Sequence, residues 1–154
     1  MTGPVVSNTS PLIALEQIGQ LSVLHALFER ICIPPAVAHE AQPTVPVLPA
    51  WIEQHHLDQP LGARVLNASL GAGESEAIGL AMELGARRVL LDERQARRLA
   101  VILGLEVTGT LGVLLAAKQR GLLTEIKPWL EALIRHEFRI SEALLEQVLR
   151  SAGE

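Results

Sequence analysis

Four brief apolar runs recur along the chain, each separated from the next by helical sequence. They are Pro4-Val5-Val6-Ser7, Ile31-Cys32-Ile33, Arg88-Val89-Leu90-Leu91 and Leu105-Glu106-Val107-Thr108. Brief, largely apolar strands, each separated from the next by helices, argue for a parallel sheet covered on both faces. Right-handed crossovers then give an α/β fold, a Rossmann-like three-layer α/β/α sandwich with a short-stranded parallel sheet. Ligands of such sheets bind beyond the carboxyl ends of the strands, so those ends are where the chemistry is sought.

The helical sequence between the runs carries its own punctuation. Ser10 as N-cap with Pro11 at the first helical position predicts a helix over 11–18, stopped at Gly19. Further helices are expected over 21–29, 34–41, 63–70, 74–84, 93–103, 111–120, 128–135 and 141–150. The stretch from Gln42 to Pro49 holds Pro43, Pro46 and Pro49 and reads as an extended surface loop. The 154 residues form a single expected domain, long enough to bury its own core.

Composition narrows the function classes. Hydrophobic residues make up 49% and charged residues 19%, which excludes a disordered chain. Cys32 is the one cysteine, so a disulfide framework and a cysteine-based zinc site are both excluded at this level. One thiol fits a cytoplasmic protein. No apolar run reaches the ~18 residues of a membrane span, and the first ten residues lack the basic and apolar regions of a signal peptide. The net charge of −4 excludes a generally basic nucleic-acid coat, so any contact with nucleic acid falls to a local patch. Aromatic residues amount to Phe28, Trp51, Trp129 and Phe138, too few for a base-stacking platform.

Against this background the placement of acids is informative. Asp92 directly follows the run Val89-Leu90-Leu91, where it either caps the next helix or belongs to a site. Asn8 occupies the matching place after the first run. Along its helix Glu74 shares a face with Ala77, Ile78 and Ala81, an apolar stripe that turns it inward at the first turn. An unpartnered carboxylate there is costly, and the helix N-terminus relieves part of that cost. Glu76 faces Gly79, Leu80 and Glu83 and reads as the less inward of the two. Glu40 shares its face with Ala36 and Val37. Asn8, Glu40, Glu74 and Asp92 are thus expected to gather at one end of the sheet. Gathered carboxylates repel one another unless a cation sits among them, and hard oxygen donors suit Mg²⁺ or Mn²⁺.

Five of the thirteen basic residues, Arg87, Arg88, Arg94, Arg97 and Arg98, lie close to Asp92 in sequence. Arg94, Arg97 and Arg98 have helical spacing and are candidates for gripping a phosphate backbone. His55 and His56, adjacent in sequence, would point to opposite faces of a strand and read as surface residues.

These segments resemble a known family. Val5-Val6-Ser7-Asn8-Thr9-Ser10-Pro11-Leu12-Ile13 is similar to the opening of PIN-domain proteins. Gly73-Glu74-Ser75-Glu76-Ala77-Ile78, Leu90-Leu91-Asp92-Glu93 and Val107-Thr108-Gly109-Thr110-Leu111-Gly112 resemble a PIN-like branch related to VapC toxins, and Phe138-Arg139-Ile140-Ser141 fits that branch too. The resemblance runs along essentially the whole chain in consistent order. It implies a Rossmann-like, metal-dependent ribonuclease whose acidic positions fall on Asn8, Glu40, Glu74 and Asp92, with Glu76 as an alternative register for Glu74. It further implies an RNA substrate, an antitoxin-like protein partner and a homodimer.

The departure from the family pattern is Asn8, where an acid is usual. An amide offers a metal its oxygen but no charge. Two readings follow: an Mg²⁺- or Mn²⁺-dependent endoribonuclease of the toxin kind, weakened at Asn8, or an inactive PIN module that binds RNA or a protein. A phospho-acceptor receiver domain is disfavoured, because Ser7-Asn8-Thr9 stands where that fold needs acids after its first strand.

Overall fold

A computed structural model describes residues 3–154, save the side chain of residue 61. Five strands of three residues each form one sheet: β1 (Val5–Ser7), β2 (Ile31–Ile33), β3 (Ile52–Gln54), β4 (Arg88–Leu90) and β5 (Glu106–Thr108). Every pairing is parallel, in the order β3-β2-β1-β4-β5. The helices are α1 (Thr9–Gln17), α2 (Ser22–Phe28), α3 (Pro35–Ala41), α4 (Pro60–Leu66), α5 (Ala72–Leu84), α6 (Arg94–Ile102), α7 (Thr110–Gln119), α8 (Lys127–Arg135) and α9 (Glu142–Ser151). The α/β architecture expected from the strand rhythm is the one observed.

The central strands are buried throughout. Val5, Val6 and Ser7 of β1, Ile31, Cys32 and Ile33 of β2, and Val89 and Leu90 of β4 are all buried. Around them pack Leu12 and Leu15 of α1, Leu24 of α2, Ile78 and Leu80 of α5, Leu114 of α7 and Leu130 of α8. An aliphatic core of this kind leaves no room for a polar group without a partner, which makes the buried Asn8 and Thr110 informative.

Three expectations are corrected. The sheet has a fifth strand, β3, where none was expected. Ile52-Glu53-Gln54 buries only its first residue and pairs on one side, so it lacks the apolar signature of a central strand. Helix α1 begins at Thr9, so Ser10 lies inside it and does not cap it; its hydroxyl is thereby free for a tertiary partner. Helix α4 starts at Pro60 and ends at Leu66, earlier than the expected 63–70, with proline supplying the pre-set first turn.

The strand order fixes where a ligand would bind. Crossovers run outward from β1 to β2 and β3 on one side, and from β4 to β5 on the other. The direction therefore reverses between β1 and β4, and their carboxyl ends splay apart at that point. Asn8 is the first residue after β1, and Asp92 is the second after β4. The Asn8 backbone N–H donates to the Leu90 carbonyl at 2.9 Å, locking the two strand ends in register.

A second tie closes the far side. Glu154 accepts from the Ile126 N–H at 2.8 Å, from the Lys127 N–H at 3.0 Å and from Lys118 Nζ at 2.8 Å. Its carboxylate so occupies the start of α8, where the free N–H groups and the helix dipole favour negative charge.

Candidate functional site

Asp92 is freed for chemistry by its neighbour. The cap of α6 is Glu93, whose carboxylate accepts from the N–H groups of Gln95 at 3.0 Å and Ala96 at 2.8 Å. The capping role open to Asp92 on sequence grounds is therefore filled, and the Asp92 side chain turns instead across the sheet. Its Oδ1 accepts from the Thr110 N–H at 2.7 Å, and its Oδ2 accepts from Thr110 Oγ1 at 2.7 Å and Ser10 Oγ at 2.9 Å. A carboxylate has about four acceptor sites. Three are filled here, which fixes the rotamer and leaves one on Oδ1.

Asn8 is 4% exposed, and its Oδ1 has no hydrogen-bond donor among the described residues. Gly73, in the first turn of α5, explains how this oxygen is reached. A Cβ placed on Gly73 would lie 3.0 Å from Asn8 Oδ1 and 2.1 Å from Glu40 Oε1. Only glycine leaves that gap, and two oxygens from separate elements line it. Glu40 is itself steered by Thr9, whose Oγ1 donates to Glu40 Oε1 at 2.8 Å. Gly109 makes a second gap of this kind. A Cβ there would meet Arg97 Nη1 at 2.7 Å and Asp92 Oδ1 at 2.9 Å.

Asn8, Ser10, Glu74, Asp92 and Arg97 line one cavity of about 910 Å³ at the carboxyl ends of β1, β4 and β5. Glu40 is not among its lining residues; it meets Asn8 at the Gly73 gap, on the α3 side. Glu74 reaches back with Oε2 to the Gly71 N–H at 2.7 Å, one half of a capping box that orders the start of α5. Glu76 lies elsewhere: it accepts from the Ala36 N–H at 3.1 Å at the start of α3 and lines a separate depression with Pro35 and Arg64. Of the three candidate arginines, Arg97 lines the cavity, whereas Arg94 and Arg98 are exposed and lie outside it.

Sequence reasoning missed several of the groups gathered here. Ser10 and Thr110 read as helix-start residues, yet their hydroxyls hold Asp92. Arg120, just past the end of α7, and Arg139 line the cavity from segments remote from Asp92 in sequence. Leu27, Phe28, Leu111, Leu115 and Phe138 make its other wall apolar. The reading of His55 as a plain surface residue is also corrected. It is half-buried beside Cys32 and Glu53, and one ligand atom from each of the three lies within 4.8 Å of the others. His56 is exposed.

The sequence profile of the PIN domain matches residues 4–154. The chain belongs to the PIN-domain family. PIN domains are associated with nuclease function and generally use divalent metal. No curated protein and no solved structure matches the chain. The residues of this PIN domain fit a hard dication on their own chemistry. The orphaned, buried carbonyl oxygen of Asn8, the Glu40 carboxylate oxygen beside it at the Gly73 gap and the open acceptor site on Asp92 are all hard oxygen donors, although Glu40, Glu74 and Asp92 do not come within 4.8 Å of one another as a set. Among the described residues, no helix of this PIN domain is long and apolar enough to cross a membrane.

Proposed function

We propose that the chain is an Mg²⁺- or Mn²⁺-dependent endoribonuclease, the toxin component of a toxin–antitoxin pair, with activity reduced by Asn8. The observation that carries this reading is the orphaned Oδ1 of buried Asn8, facing the glycine gap that Glu40 shares. A polar atom buried without a partner costs free energy, and a bound cation would offset that cost. Asn8, Glu40, Glu74 and Asp92 are the residues assigned to hold the ion. When bound, it supplies a water of lowered pKa and positive charge for the phosphodiester oxygens.

The chain's own groups do the rest. Ser10 and Thr110 hold the Asp92 carboxylate in a single orientation, so no reorganisation is needed when charge develops nearby. Arg97, whose guanidinium stands at the Gly109 gap, is the phosphate-gripping group. Arg94 and Arg98 on the exposed face of α6 extend that grip along the RNA backbone. Glu40 and Glu74 each keep one carboxylate oxygen outside the bonds described above and are the proton acceptors at hand. The apolar wall of Leu27, Phe28 and Phe138 suits an inserted segment of an antitoxin-like partner. The resemblance to toxins also carries the homodimer, and the single thiol fits a cytoplasmic setting.

The deciding experiment is Asn8→Asp. The change is nearly isosteric and adds one negative charge at coordination distance, so both Mn²⁺ affinity by calorimetry and RNA cleavage should rise. Asp92→Asn, run alongside, should abolish cleavage. If Asn8→Asp alters neither metal affinity nor cleavage, the second reading stands: a PIN module that binds RNA or a protein without cutting.

A further inference from the structure

A side-chain cluster outside the acidic cavity carries a separate inference. Cys32, at the centre of β2, is in register with Glu53 of β3. Glu53 and His55 are two residues apart, so their side chains leave the same face of the strand. The His55 N–H donates to the Ile33 carbonyl at 2.8 Å, which extends the ladder one residue past β3. One ligand atom from each of Cys32, Glu53 and His55 lies within 4.8 Å of the others. His55 Nε2 is 3.3 Å from Glu53 Oε1. None of the three lines the acidic cavity.

We propose that Cys32, Glu53 and His55 form a Zn²⁺ site that ties the edge strand β3 to β2. The donor set decides the metal. A thiolate sulfur and an imidazole nitrogen suit zinc, whereas Mg²⁺ and Mn²⁺ prefer oxygen. Three protein ligands leave the fourth tetrahedral position to water. At bond lengths of about 2.0–2.3 Å, the ion must draw the widest donor pair together by roughly 1 Å. Binding forms the sulfur–zinc bond, and the thiol proton leaves to solvent. The one competing charge is Arg30, 3.5 Å from the other Glu53 oxygen and 74% exposed. A pair so exposed binds weakly and leaves Oε1 toward His55. Edge strand β3 pairs only with β2 and buries one residue of three. A metal bridge across that pair adds the tie that its side chains do not supply.

The test uses the full chain, stripped with chelator and dialysed. Zn²⁺ is titrated in competition with a chromophoric chelator, and Co²⁺ is followed by absorption. The expected result is one equivalent of Zn²⁺, a thiolate-to-cobalt charge-transfer band, and a rise in Tm of about 5–10 °C at a free Zn²⁺ of 100 times Kd. Cys32→Ala and His55→Gln should each abolish the band and weaken Zn²⁺ binding at least ~100-fold, with far-ultraviolet circular dichroism confirming the fold. Asp92→Asn should keep the full equivalent. Absence of stoichiometric Zn²⁺ binding by the parent chain overturns the proposal, as does retention by either variant or loss in Asp92→Asn. Should Cys32→Ala fail to fold, His55→Gln decides alone, because His55 is half-exposed at the end of the strand.

Discussion

Ser10 donates its hydroxyl to Asp92 Oδ2 at 2.9 Å, joining the first turn of α1 to the end of β4 across 82 positions of sequence. Together with Thr110 this makes Asp92 a carboxylate with a set orientation. Ser10→Ala and Thr110→Val should each lower Mn²⁺-dependent RNA cleavage by roughly tenfold, the equivalent of one lost hydrogen bond. Asp92→Asn should lower it far more. Cleavage rates on one RNA at saturating Mn²⁺ check the order.

Gly73 gives a test that separates the site from the fold. Alanine in place of a helical glycine is ordinarily stabilising by about 1 kcal/mol. Here the new methyl would fall 2.1 Å from Glu40 Oε1. The Glu40 side chain is exposed and flexible, so it can swing away at small cost to stability. Gly73→Ala is thus expected to keep Tm within a few degrees of the parent while lowering Mn²⁺ affinity at least ~10-fold. Thermal melts and calorimetry together read both.

Glu93 and Asp92 should separate in the opposite sense. Glu93→Ala removes the α6 cap and should cost about 1 kcal/mol, or roughly 2–4 °C in Tm, with cleavage little changed. An unchanged Tm in Glu93→Ala would contradict the assignment of the cap.

Glu74 and Glu76 differ by which helix they serve. Glu76→Ala strips the Ala36 N–H of its acceptor and should lower stability by about 1 kcal/mol. Glu74→Gln keeps an oxygen for Gly71 but removes a charge from the cavity, so it should lower metal-dependent cleavage more than stability. Urea melts beside cleavage assays distinguish the two.

Stability at acid pH should report on Glu154. Burial pushes its carboxyl upward, but the Lys118 ammonium and the N–H groups of Ile126 and Lys127 outweigh burial and hold it below its ordinary value. A depressed carboxyl contributes stability that is present above the unfolded value of about 4.3 and lost as pH falls through the folded one. Glu154→Gln should therefore melt below the parent at pH 7. The difference should shrink as pH drops below about 4. A gap that stays constant down to pH 2 would contradict the role given to this carboxylate.

The strand rhythm and its apolar content determined the parallel α/β fold, because short apolar strands separated by helices pack into a sheet covered on both faces. The same logic placed Asn8 and Asp92 at strand ends, since that position follows from where an apolar run stops. The inward stripe of Ala77, Ile78 and Ala81 likewise marked the start of α5. Tertiary structure decided what local sequence leaves degenerate. Asp92 and Glu93 are both competent caps, and only the reach of Asp92 to Ser10 and Thr110 assigns them. Glycine at 73 and 109 reads as a helix start or a turn until the oxygens crowding its missing Cβ come from α3 and from the residues that follow β1 and β4. Cys32, Glu53 and His55 looked unrelated because β3 has no periodic signal of its own. Their meeting depends on the β2–β3 register, and register arises from pairing between segments, which no single stretch of chain contains.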